Sequence, residues 1–207
     1  GWGWMFDDLH ITCCNLNGPM GLAYIPFIAV MNSSGGPVVN LYNAGSVKTT
    51  SPGKKELNMD IITDYPRSGD IVIRVNPARK EEFNLKLRIP GWSENTVVKV
   101  NGTKVEDVKS GTYLDLVREW DTDDKVEINL DMKCHLIDAP EGSQTQSAAF
   151  QALQWGPLVW ARNENLDPEF NKPVRIITDD NGIVPVQKVR PTFSGTNLEF
   201  MIPTTDG

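Results

Sequence analysis

The sequence predicts a mainly β protein: one helix near the N-terminus, an antiparallel β-sandwich, then a second, smaller β region. Three observations predict it. From Pro37 to Asp138, short alternating or β-branched runs recur, punctuated by turn residues about every 8–12 positions. Asn101-Gly102 stands between two of these runs, the strongest short hairpin signal a sequence offers. The stretch from Gly18 to Met31 shows no alternation and places Leu22, Ile25 and Ala29 at helical spacing.

The first unit covers residues 1–33. Asn17 can cap the helix and Pro19 suits a first helical turn, whereas Pro26 is expected to kink or break it. Residues 32–36, Asn-Ser-Ser-Gly-Gly, read as a turn and linker. The sandwich occupies residues 34–138. Its expected strands are 38–42, 57–65, 70–75, 83–89, 97–100, 113–117 and 126–130, with Phe83, Leu85, Leu87 and Ile89 on one buried face. The second β region covers residues 139–207. It opens on a polar, turn-rich stretch at 139–147 and continues with runs at 148–154, 158–161, 174–178, 183–189 and 198–202. The chain begins Gly-Trp-Gly-Trp-Met and closes on Thr-Thr-Asp-Gly with no obvious helix or strand, so it reads as a piece of something longer.

Composition narrows the function classes. A chain of 207 residues with 40% hydrophobic and 23% charged residues is that of an ordinary globular protein. A net charge of −7 disfavours nucleic acid and anionic membrane as partners, and no run approaches the apolar length of a membrane span. Three cysteines, two of them adjacent, do not form a disulfide framework.

The residues that carry chemistry gather near the N-terminus. His10, Cys13 and Cys14 lie within five positions, and thiolate and imidazole are the ligands zinc prefers. Two readings stand for the cysteine pair: small apolar thiols filling the start of a buried helix, or a pair sharing a metal, one of them reactive. Cys134-His135 invites the same question, and a buried thiol beside an ordinary histidine answers it best. Trp92, Trp120, Trp155 and Trp160 sit beside expected strands, where a core role outweighs sugar stacking. The acidic pairs Asp7-Asp8, Glu81-Glu82, Asp123-Asp124 and Asp179-Asp180 read as solvated turns.

Several ordered phrases then give the chain a likeness. They are Cys13-Cys14-Asn15, Val39-Asn-Leu-Tyr42, Thr63-Asp-Tyr-Pro66 with Gly69, Leu87-Arg-Ile-Pro-Gly-Trp92 and Val100-Asn-Gly102. Gly111-Thr-Tyr113, Arg118-Glu-Trp120, Met132 and Gly156-Pro-Leu-Val159 continue the series. In these the chain resembles the C-terminal part of the bacterial β-L-arabinofuranosidase family, glycoside hydrolase family 127. It differs in lacking prolines directly after Cys14, in Arg67 after Thr-Asp-Tyr-Pro, and in Asp131 before Met132, differences that bear on the sugar more than on the fold.

The resemblance implies an α-helical toroid ahead of the sandwich, with the cysteine pair at its end and the N-terminal helix left over from it. It implies that Cys13 is the catalytic nucleophile and a zinc ligand, and that Cys14 is a second zinc ligand. A glutamate, a third cysteine and the glutamate acid/base would lie upstream. The implied reaction is retaining hydrolysis through a thioglycosyl intermediate, on arabinose-containing plant glycans, in the bacterial cytoplasm or periplasm. With two cysteines and at most one histidine the zinc site is underfilled, so the isolated chain is expected to be inactive and to self-associate through the helix. Two further readings compete. A non-catalytic β-sandwich module, for carbohydrate binding or domain assembly, would bury the thiols; a free-standing metal protein would bring His10, Cys13, Cys14 and Cys134 or His135 together.

Overall fold

The computed structural model describes residues 13–138, 151–160, 169, 172–189 and 199–206. One helix, α1 (Cys13–Ala29), leads the described chain. Of the kink or break expected at Pro26, the break does not occur: one helix runs through both Pro19 and Pro26. Pro26 removes one amide from the last turn, but that turn is held from outside the helix. The amides of Asn40 and Leu41 donate to the Ala29 carbonyl at 2.9 and 3.1 Å, and the Asn40 side-chain amide donates to the Ile28 carbonyl at 2.9 Å. Carbonyls that a helix end leaves orphaned are thereby satisfied by the sandwich.

The strands follow as β1 (Val30–Ser33), β2 (Gly36–Val39), β3 (Gly45–Thr50), β4 (Glu56–Thr63), β5 (Asp70–Pro77) and β6 (Glu81–Arg88). Then come β7 (Val97–Val100), β8 (Thr103–Lys104), β9 (Tyr113–Trp120) and β10 (Asp124–Asn129). They make two sheets, one ordered β1-β2-β6-β9 and the other β3-β4-β5-β10-β7-β8. Residues 32–36, expected as a turn and linker, do turn at Ser34-Gly35, but the turn closes a tight hairpin: Ser33 pairs with Gly36, and β1 joins the sheet. Asn101 and Gly102 turn β7 into β8 with φ of +50° and +82°, the left-handed pair that a two-residue hairpin demands.

The alternation in β6 sends Phe83, Leu85 and Leu87 inward, where they meet Leu57, Met59 and Ile61 of β4 and Ile71, Ile73 and Val75 of β5 in one core. Each fully buried Leu or Ile there contributes about 1.5–3 kcal/mol. Trp120 closes one end, fully buried, stacked on Phe83 with ring centroids 5.8 Å apart and its Nε1 donating to the Phe83 carbonyl.

A smaller unit follows, with β11 (Cys134–Asp138), β12 (Gln151–Trp155) and β13 (Leu158–Trp160) in one antiparallel sheet. Cys134, Trp155 and Val184 are its buried centre. Two short pairs complete the described chain: β14 (Val174–Ile176) with β17 (Thr204–Asp206), and β15 (Gln187–Val189) with β16 (Glu199–Met201). The ending, which as a sequence offers no strand, thus finishes on one. Polar Thr204 and Thr205 show no alternation, so only the pairing reveals it. Of the expected run at 148–154, residues 148–150 lie outside the described residues.

Candidate functional site

Cys13 and Cys14 open the described part of α1, and Cys14 is exposed. His10 lies outside the described residues, as do Trp2 and Trp4. The helix has no charged residue along its 17 positions, yet it stands largely in solvent, with Phe27 75% and Leu22 68% exposed. An exposed helix normally carries a polar face, and one without any belongs in an interior.

Cys134 answers the second metal question. It lies at the start of β11, 1% exposed, and burial pushes its thiol up to about 11. Such a sulfur is an apolar core atom and not a ligand held as thiolate. His135 beside it is half-buried and bridges Ile183. Among the described residues, no three of His, Cys, Asp and Glu gather to hold a metal ion. A structural or catalytic zinc takes three or four protein ligands. Two adjacent thiols do not fit that requirement, so the described residues do not make a zinc site.

The four described tryptophans pack in or against the hydrophobic clusters, as their sequence setting suggests. Trp120 and Trp155 are buried, while Trp92 and Trp160 are half-buried against the two hydrophobic clusters. Asp7-Asp8 lies outside the described residues, and two of the other acidic pairs serve turns: Glu81 accepts from the Ser51 hydroxyl and the Gly53 amide, and Asp179 accepts from the amides of Asn181 and Ile183. Ser51 in particular holds the Glu81 carboxyl below its ordinary range.

One concavity stands out, and sequence reasoning does not single it out. A groove of about 560 Å³ lies where α1 meets the sandwich, lined by Ile28, Met31, Val38, Leu41, Arg88 and Tyr113. Asn40 organises it. Its amide nitrogen donates to the Ile28 carbonyl at the helix end, and its carbonyl oxygen accepts the Tyr113 hydroxyl proton at 2.5 Å. Beneath, Tyr42 is buried and donates to the Arg88 carbonyl at 2.7 Å, and burial raises its phenol well above the ordinary range. A signal for the groove was present in the sequence. Asn40, Arg88 and Tyr113 each fall in one of the phrases that carry the resemblance, and the fold brings these three phrases together.

Comparisons with known proteins bear on this arrangement. Residues 37–132 match the family model described as "Beta-L-arabinofuranosidase, GH127 middle domain". No curated protein matches the chain. Among solved structures, it is similar to Ara127N-Se, a GH127 β-L-arabinofuranosidase from Geobacillus stearothermophilus T6, with TM-score 0.69 and 24% identity. That alignment covers 96% of this chain and 36% of the other. A structure titled "Glycoside hydrolase" aligns with TM-score 0.69 and 23% identity over 93% of this chain and 35% of its own. The GH127 β-arabinofuranosidase BT3674 aligns with TM-score 0.67 and 20% identity, over 95% and 35%. At these identities the likenesses establish the fold. The chain spans little more than a third of the length of each structure.

Proposed function

We propose, for a chain whose residues 37–132 carry a GH127 middle domain, that it is part of a longer glycoside hydrolase acting on β-L-arabinofuranosides. The match of that stretch is the observation that carries the reading. The surroundings of the cysteine pair support it. Cys13 and Cys14 open a helix whose uncharged, exposed surface suits the interior of a helical assembly.

In this reading Cys13 is the nucleophile. Its thiolate attacks the anomeric carbon, the glycosidic C–O bond breaks, and an acid from outside this chain protonates the leaving oxygen. Water then displaces the sulfur from the sugar, and the second inversion restores the original configuration. Zinc enters only as a group to which Cys13 and Cys14 contribute two ligands, the rest coming from beyond the described residues. Alone, the chain would hold zinc weakly or not at all and would turn over no substrate. Arabinose-containing plant glycans are the substrate class.

The full-length protein, expressed from its gene, tests this directly. It should hydrolyse an aryl β-L-arabinofuranoside with retention, read from the anomer first formed in proton NMR. Cys13→Ala should lower kcat by about 10³-fold or more. Full activity in Cys13→Ala, or no activity on arabinofuranosides, sinks the assignment.

A further inference from the structure

Asn-Gly occurs at Asn17-Gly18, Asn101-Gly102 and Asn181-Gly182. This dipeptide carries its own electrophile and nucleophile: the side-chain amide carbon of Asn and the backbone nitrogen that follows it. Glycine has no Cβ to hinder their meeting. Ring closure requires the side chain to swing until its Cγ reaches that nitrogen, so whatever anchors the side chain raises the barrier.

The three pairs sit in different settings. Asn17 lies inside α1, where helical geometry holds the Gly18 amide in the backbone ladder. Asn101 is locked at the hairpin: its Nδ2 donates to Asp124 Oδ1 at 2.7 Å, and its Oδ1 accepts the Lys125 amide at 2.8 Å. The bond to Asp124 ends on a carboxylate, the stronger kind. Gly102 and Gly182 both stand in open space, so access does not separate them. Asn181 is exposed, and its side chain makes no hydrogen bond to the described residues. Of the two reacting groups there, only the Gly182 amide is held, by one turn bond to the Asp179 carbonyl at 3.0 Å.

The turn that carries Asn181 is tied to the second β unit. Asp179 Oδ1 accepts the amides of Asn181 and Ile183 at 2.8 and 2.9 Å, and Ile183 bridges His135. The next residue, Val184, donates its amide to the Cys134 carbonyl at 2.9 Å and buries its side chain beside Cys134 and Trp155.

We propose that Asn181 is a site of spontaneous modification, converted through a succinimide to aspartate and isoaspartate, while Asn101 keeps its amide. The Gly182 nitrogen gives its proton to water and bonds to Asn181 Cγ. The bond from Cγ to the side-chain nitrogen breaks, and ammonia leaves with a proton taken from water. A second water opens the ring at either carbonyl, giving aspartate or isoaspartate. Either product sets a third carboxylate beside Asp179 and Asp180, and isoaspartate also lengthens the main chain by one carbon. The modified turn therefore holds Ile183 and Val184 less firmly. Nothing in this chemistry depends on the chain being part of a hydrolase.

Incubation of the folded chain at mildly alkaline pH, followed by peptide mass spectrometry, tests it. The peptide holding Asn181 should gain the mass of an amide-to-acid exchange and resolve into aspartate and isoaspartate forms. Asn101 should convert at least about tenfold more slowly, equivalent to about 1.4 kcal/mol of added barrier from its two hydrogen bonds. In urea the two sites should convert at similar rates, because unfolding releases the Asn101 anchors. Exchange of the Val184 amide should quicken as wild type converts and stay constant in Asn181→Gln. Equal rates at the two sites in the folded chain, or faster conversion at Asn101, overturn the proposal. So does an Asn181 peptide that stays intact in the folded chain while the unfolded chain converts. Constant Val184 exchange in fully converted wild type overturns the loosening of the turn.

Discussion

The backbones of Gly69 and Leu130 run so close that residue 69 has no room for a side chain. The Leu130 amide donates to the Gly69 carbonyl at 2.9 Å, and a β-carbon on Gly69 would strike the Leu130 carbonyl and stand 3.0 Å from Met132 Cγ. The obstacle is mainly backbone, which cannot swing aside as a side chain can. Gly69→Ala should therefore destabilise the sandwich by about 2–4 kcal/mol, read from urea unfolding. A loss below about 1 kcal/mol would mean that the ends of β5 and β10 separate freely.

Trp120 combines full burial with a hydrogen bond to the Phe83 carbonyl and a cation–π contact from Arg118 at 5.1 Å. Trp120→Ala should cost about 3–5 kcal/mol in the same assay. Trp120→Phe should cost less, since it restores ring volume and loses only the indole bond and the remaining gap. Equal losses for the two variants would contradict a packing role.

The uncharged, exposed helix predicts that the isolated chain self-associates. Sedimentation velocity should show concentration-dependent association of the wild-type chain, and Phe27→Glu with Tyr24→Glu should return it to monomer. Unchanged sedimentation in the double variant would place the contact elsewhere.

Cys134 gives the second β unit a dependence on alkali. Its ordinary thiol value of 9.0 is raised to about 11 by burial, so the folded state keeps the proton that the unfolded state releases. This contribution is fully present below about pH 9 and is lost as pH rises toward 11, a change of order 1–2 kcal/mol. Cys134→Ala should lose the corresponding part of the alkaline slope. Parallel stability–pH curves for the two proteins would show that the thiol does not titrate with unfolding.

Much of the sandwich was legible because its core strands announce themselves. The alternation from Phe83 to Ile89 and the Asn101-Gly102 turn each allow one conformation, and the structure contains both. Strand β3, Gly45–Thr50, was not legible: only its alternate residues Val47 and Thr49 are half-buried at a sheet edge, and the rest is polar. At Ser34-Gly35 the turn was legible but the pairing of its flanks was not, because turn residues look the same in a hairpin and in a linker. Cys13 and Cys14 were legible as residue types, but a site is a set of distances. The groove was legible only as three separate phrases, since Asn40, Arg88 and Tyr113 are brought together by strands far apart in sequence.

Asn40 acts on more than the groove. One side chain ties the last turn of α1 to Tyr113 on β9, so the angle at which the helix leaves the sheet is set by an amide with both ends fixed. Cys14 lies 14 residues from Ile28, about 21 Å along the helix axis at 1.5 Å per residue. At that radius a 5° swing at the elbow carries the sulfur about 2 Å, and misplacement of about 1 Å is enough to cost a reaction two orders of magnitude. In the proposed hydrolase, where Cys14 would bind zinc beside the Cys13 nucleophile, the sandwich would be the mount of a lever with the cysteine pair at its far end, and Asn40 the bolt that sets its aim.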